Sequence, residues 1–143
     1  MERTDKNVDD YLAGLTGERA DSMRALDAVI AEELPGLERV LWEGVFWGGT
    51  EQQIIGYGGT ATPRPRGEVV EWFLIGLADQ KKHISLYVNA NSEGKHLVQL
   101  WKDRLGKVKV GTAAATLTSF EGVDVDGLRG MIREARRLTP EVT

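Results

Sequence analysis

Apolar residues recur at helical spacing near the start of the chain. The stripe within residues 6–15 predicts a short first helix. A second stripe runs from Met23 to Leu34 and predicts a longer helix, with Thr16 as its N-cap and Pro35-Gly36 at its end. The chain therefore begins with two amphipathic helices.

The hydrophobic pattern then changes to that of strands. Strands are predicted over 39–47, 52–58, 69–77, 82–89 and 113–119. The third is almost entirely apolar, which favours a central strand covered on both faces. Only a short turn separates it from the fourth, so we expect these two strands to form an antiparallel hairpin.

Helical spacing returns twice in the C-terminal half, over 94–105 and in a last helix capped by Asp124. Residues 59–67 hold two prolines and predict an irregular connection, either a lid over a site or a long hairpin loop. We therefore predict one α+β domain over 1–143: an antiparallel sheet of about five strands with two N-terminal helices and two helices in the C-terminal half. The core residues expected from periodicity are Leu26, Ile30, Phe73, Ile75, Leu86, Leu100 and Leu128.

Composition narrows the class of protein. The chain has 143 residues, 41% of them hydrophobic, and no cysteine, which excludes disulfide scaffolds and thiolate chemistry. A net charge of -4 argues against a general nucleic-acid binder. The absence of a long apolar run or a signal-peptide core predicts a cytoplasmic protein without a membrane partner. We expect a monomer or a weak homodimer, and no cofactor.

Charge and aromatic residues supply the candidate chemistry. A possible surface for a small anion or a protein partner combines aromatic walls and cationic anchors: Trp47, Tyr57, Trp72, Lys81, Tyr87, Lys107 and Lys109. The alternative is that the aromatic residues pack in the core and that the lysines keep a sheet edge soluble. A non-enzymatic binding module is the favoured function.

Two other functions stay open at this point. A ridge of carboxylates on the first two helices, Asp9, Asp10, Glu18 and Asp21, would hold a cation weakly, unless it is simply a solvated helix face. An enzyme would use Glu43 as general base, because an apolar setting beside Trp47 would raise the pKa of this carboxyl.

The order of several short segments is also informative. They are Val8-Asp9-Asp10-Tyr11-Leu12, Leu34-Pro35-Gly36, Trp42-Glu43-Gly44, 53–58, 72–77, 81–87, 105–111 and Asp124-Val125-Asp126. Over residues 8–136 this order resembles the YdhG-like bacterial family, catalogued as domain of unknown function 1801 (DUF1801). The resemblance implies an α/β layered fold with N-terminal helices and an antiparallel sheet. Some relatives look frataxin-like, which implies a weak iron carrier that uses the acidic N-terminal helices.

Overall fold

One antiparallel sheet organises the chain. The computed structural model describes residues 1–46, 50–63 and 65–143. Its strands are β1 (Glu2–Arg3), β2 (Arg39–Phe46), β3 (Thr50–Pro63), β4 (Val69–Asp79), β5 (Ile84–Val88), β6 (Asn91–Ser92), β7 (Lys95–His96), β8 (Lys109–Val110) and β9 (Ala114–Leu117). Its α-helices are α1 (Val8–Ala13), α2 (Ala20–Glu33), α3 (Leu97–Leu100) and α4 (Val125–Leu138), with 3₁₀ turns at Lys102–Arg104 and Phe120–Gly122.

The strand order confirms the α+β class and enlarges the predicted sheet. Seven strands follow the order β1-β2-β3-β4-β5-β9-β8, and every neighbouring pair is antiparallel. Strands β6 and β7 form a separate hairpin. About five strands were expected; the additional ones have two residues each, too few to produce a recognisable alternation. The hairpin of β4 and β5 is present as predicted.

Helices α2 and α4 cover one face of the sheet and form the main core with it. Six of the seven predicted core residues are buried, whereas Leu100 is 48% exposed. The helix predicted over 94–105 is shorter than expected: α3 ends at Leu100, and a 3₁₀ turn follows. This change of winding takes Leu100 off the buried stripe, and Leu97 and Val98 face the core instead.

Two local predictions also need correction. Helix α2 begins at Ala20 with Arg19 in the N-cap position, so Thr16 does not cap it. Residues 59–63 are not an irregular loop but continue β3, where Thr62 pairs with Val70 and Pro63 with Val69. Proline is tolerated here because it lies at the last position of the strand.

The face of the sheet opposite the helices, called the outer face below, is covered by aromatic side chains rather than by a second layer. The rings of Trp72 and Phe73 stack at 4.2 Å, and Trp42 meets Phe73 edge-on at 5.9 Å. Gly56 and Gly76 are paired across β3 and β4 beneath these rings. A side chain on Gly56 would lie 2.7 Å from Trp42 Nε1, so the glycine pair makes room for the aromatic cluster.

The sheet forks at one end. The ladder between β3 and β4 stops at the pair Ile55 and Leu77. Beyond this point β2 and β3 stay paired as far as Thr50, and β4 and β5 stay paired as far as Asp79. The two hairpins therefore separate, and the facing edges of β3 and β4 are no longer joined by the ladder. Within the described ranges, none of the helices has the length and apolarity that crossing a membrane requires.

Candidate functional site

A cleft of about 820 Å³ opens where the sheet forks. We call it the fork cleft. Helix α1 and strand β2 supply one wall, the first residues of β3 the second, and the β4–β5 turn the third. The residues that line it are Tyr11, Glu43, Thr50, Glu51, Gln52, Gln53, Asp79, Gln80, Lys81, Lys82 and His83. Its volume is in the usual range for small-molecule sites.

Glu43 is held in the fork cleft as a carboxylate. Lys6 Nζ lies 2.7 Å from its Oε1, and Gln53 Nε2 donates to its Oε2 at 2.6 Å. The hydrogen bonds from Lys6 and then from Gln53 lower the pKa of Glu43 below its ordinary value. The prediction that the pKa of Glu43 is raised is therefore wrong. A carboxylate with a lowered pKa is a weak base, so this site does not favour general-base chemistry by Glu43.

Asp79 fixes the β4–β5 turn to the start of α2. Arg19 Nε lies 3.0 Å from Asp79 Oδ1, and the same guanidinium donates to the carbonyl of Gln80 at 2.7 Å. Both side chains of the ion pair are only 19% exposed. The turn is therefore held in place by a partly buried contact rather than by its own sequence alone.

Tyr11, on α1, lines the fork cleft together with Glu43 and Asp79. Burial, then the negative charges of Asp79 and Glu43, raise the pKa of Tyr11. In the part of the chain that the structure describes, its hydroxyl makes no hydrogen bond. The phenol is therefore a neutral donor in a region of negative potential.

The β4–β5 turn supplies the positive charge of the fork cleft. Lys81 and Lys82 are exposed, and neither forms an ion pair with an acidic side chain of the described residues. Glu51, on the opposite strand, is likewise exposed and unpaired among those residues. His83 follows at intermediate exposure, and its carbonyl accepts from the Gln80 N–H at 2.9 Å. The cleft thus carries unpaired charges of both signs.

Glutamine side chains connect the two arms of the fork. Gln80 Nε2 donates to Gln52 Oε1 at 2.8 Å and to the Tyr87 hydroxyl at 2.9 Å. Ser85 Oγ donates to Gln80 Oε1. This network connects β3 and β4 beyond the end of their backbone ladder, so hydrogen-bonded side chains border the cleft at this point.

Tyr57 is a core residue and not part of a binding surface. It is 2% exposed, and its hydroxyl donates to Asp27 Oδ1 at 2.7 Å. Arg39 holds both oxygens of Asp27, at 3.1 and 2.9 Å, and donates to Asp9 at 2.6 Å. Burial first, then the charge of Asp27, raises the pKa of Tyr57 well above its ordinary value. The network satisfies the buried carboxylate of Asp27, which belongs to α2.

The other residues of the predicted binding surface are dispersed. Lys81 lines the fork cleft, whereas Trp72 lines a second cavity of about 720 Å³ beside residues 60–63 and Pro65. Trp72 and Tyr87 both pack against the aromatic cluster of the outer face. Lys107 and Lys109 belong to the region of β8 and line neither cavity, because β5 and β9 separate β4 from β8. Trp47 lies outside the described residues.

The acidic residues of the first two helices do not converge either. Asp9 is paired with Arg39, and Asp21 with Arg24. Asp10 and Glu18 are exposed. Over residues 1–46, 50–63 and 65–143, no three histidine or acidic side chains are placed to hold a metal ion. The structure therefore does not gather these four carboxylates into one cluster, and arginines already pair with two of them.

The sequence patterns do not identify several residues of the fork cleft as part of a site, among them Tyr11, Glu51, Gln53, Asp79 and Lys82. The usable signal was the polar run 79–83 between two apolar strands, which marks a turn but not a cleft. Comparison with protein families, with curated proteins and with solved structures found no match to this chain. The resemblance to the YdhG-like family stays a prediction.

Proposed function

We propose that this domain is a non-enzymatic module that binds a small anionic ligand in the fork cleft, with Lys81 and Lys82 as its anchors. One observation carries the proposal. Two lysines without an acidic partner among the described residues border a cavity of about 820 Å³, whereas Glu43 and Asp79 in the same cavity already have cationic partners.

The charge balance of the cleft supports an anion. Lys6 compensates Glu43, and Arg19 compensates Asp79. Glu51 is then the remaining acidic residue of the lining, against two lysines. A small carboxylate or phosphate placed between Lys81 and Lys82 relieves the repulsion of two neighbouring ammonium groups. Because these groups are exposed, we expect the affinity to fall as salt rises and the Debye length shortens toward about 8–10 Å.

Neutral groups of the cleft would orient such a ligand. The Tyr11 hydroxyl is an unused donor in the described structure, and the amide of Gln53 already positions Glu43. A few well-placed polar groups beside apolar surface are typical of small-molecule sites. The partly buried Arg19–Asp79 pair holds the β4–β5 turn in place, so binding does not require the turn to be ordered first.

Calorimetry with acetate, succinate, citrate and inorganic phosphate, at low and at physiological salt, tests the proposal. We expect at least one of these anions to bind the wild type, more weakly at the higher salt. The double variant Lys81→Ala/Lys82→Ala should lose most of that affinity. The variant Lys107→Ala/Lys109→Ala is the matched control, since it removes the same charge outside the cleft. Equal affinity in both variants would contradict the proposal.

A further inference from the structure

The lining of the fork cleft carries charges of both signs on different elements of the fold. Lys81 and Lys82 lie on the β4–β5 turn, which Asp79 precedes, whereas Glu51 lies on β3 and Tyr11 on α1. Arg19 engages Oδ1 of Asp79, but no hydrogen bond from a described residue reaches its Oδ2. Glu51 has no partner at all within the described residues. Carboxylate oxygens that can accept a further hydrogen bond therefore remain in the same cleft as the two lysines.

Tyr11 adds an aromatic surface at the acidic end. Its ring is partly buried against the main core, and its hydroxyl lies in the field of Asp79 and Glu43. A cation near this phenol would meet negative potential, an aromatic ring and an oxygen acceptor together. The strongest attraction for a carboxylate is instead at the turn, where Lys81 and Lys82 lie.

We propose, building on the proposed function, that the ligand of the fork cleft is a small zwitterion: its carboxylate binds at Lys81 and Lys82, and its ammonium group binds at Glu51, Asp79 and Tyr11. A purely anionic ligand leaves the acidic end unused. A purely cationic ligand leaves the lysine pair uncompensated. A ligand that carries both groups pairs with charges of both signs in the cleft and does not change the net charge of the site.

Three sets of matched compounds separate these possibilities. The zwitterions 4-aminobutyrate and 6-aminohexanoate share their carbon chains with the anions butyrate and hexanoate and with the cations butylammonium and hexylammonium. Exposed ion pairs contribute modestly, so we expect the better zwitterion to bind about two- to five-fold more tightly than its matched anion. The cations should bind more weakly than the zwitterions.

Variants assign each end of the ligand. Glu51→Gln removes an exposed, unpaired charge and should bring the affinity ratio of zwitterion to anion close to one, while hexanoate binding is retained. Tyr11→Phe should lower the same ratio. Lys81→Ala/Lys82→Ala should weaken both compounds and preserve the ratio. Lys107→Ala/Lys109→Ala is again the control and should change neither compound.

The outcomes distinguish the two proposals. If anions and zwitterions bind the wild type equally well, the zwitterion is excluded and the anion module stands. If the compounds bind but Glu51→Gln leaves the ratio unchanged, the assignment of the ammonium end is wrong. If no carboxylate binds, or if the cations bind as tightly as the zwitterions regardless of the lysine pair, both proposals fail.

Discussion

Replacing Tyr57 by phenylalanine removes one hydroxyl from the centre of the domain and leaves the ring in place. That hydroxyl donates to Asp27 at 2.7 Å, and Tyr57 is 2% exposed. Hydrogen bonds to charged groups contribute about 1.5–3 kcal/mol to stability. Asp27 keeps its two contacts with Arg39, so the carboxylate is not left without partners. We therefore expect a loss near the lower limit, about 1.5 kcal/mol.

Urea unfolding followed by tryptophan fluorescence measures this loss. With an m value of about 1–3 kcal/mol per molar urea, the midpoint at pH 7 should fall by about 0.5–1.5 M while m stays constant. Tyr11→Phe is the control, because the Tyr11 hydroxyl makes no hydrogen bond with the described residues and its loss should shift the midpoint little. Equal midpoints for wild type and Tyr57→Phe would refute the assignment of this hydrogen bond.

The same variant has a predicted pH dependence. The pKa of Tyr57 is raised in the folded protein, so above about pH 10 the unfolded chain releases a proton that the folded protein retains. The contribution of Tyr57 to the free energy of unfolding is therefore fully present below about pH 10, and it falls as the pH rises, by up to about 1.4 kcal/mol per pH unit. Phenylalanine has no such proton. The difference between wild type and variant should narrow above pH 10; a difference that widens there would contradict the sign.

Three further predictions test the packing and the charges. Gly76→Ala should lower the free energy of unfolding by about 1–3 kcal/mol in a urea melt, because the added methyl group would overlap the ring of Phe73. Gly111→Ala is the control and should leave the free energy of unfolding unchanged, because its methyl group would lie 3.6 Å from the nearest atom, the carbonyl oxygen of Ala114. The hydrogen bonds from Arg133 and then from Arg129 lower the pKa of Glu33. The stabilisation from this carboxylate is therefore present above about pH 4.5 and is lost as the pH falls further. In an acid titration, the free energy of unfolding of Glu33→Gln should decline less steeply than that of the wild type. Leu100→Ala should cost under about 0.5 kcal/mol and Leu128→Ala about 2–5 kcal/mol, and the reverse order in denaturant melts would mean that α3 is misplaced.

Local sequence patterns were sufficient for the longer elements. The alternation within 82–89 and the short turn before it predicted the β4–β5 hairpin, and Asp124 caps α4 by accepting from the Gly127 N–H at 3.1 Å. Each of these features depends on residues a few positions apart. The prediction that Leu100 is buried is wrong, because α3 ends after one turn and a 3₁₀ turn follows, and the spacing of apolar residues does not reveal this change.

The candidate site depends on contacts between distant residues and was not predictable in the same way. The fork is bridged by Gln52 and Gln80, which are 28 positions apart. Lys81 follows β4 and Lys109 begins β8, and both strands belong to one sheet. The two lysines are nevertheless far apart in the strand order, because β5 and β9 lie between β4 and β8. The sequence leaves open whether Tyr57 lines a surface or packs in the core, because nothing in its own strand shows that Asp27 and Arg39 lie beside its hydroxyl.

The location of a bound anion is the most direct test of the central claim. Amide chemical shifts of the ¹⁵N-labelled protein would be followed during a titration with succinate. The account predicts saturable shifts concentrated in residues 50–53 and 79–83 and near Tyr11, which are reduced in Lys81→Ala/Lys82→Ala. Shifts confined to residues 107–110, or no saturable shift in the fork cleft, would contradict it.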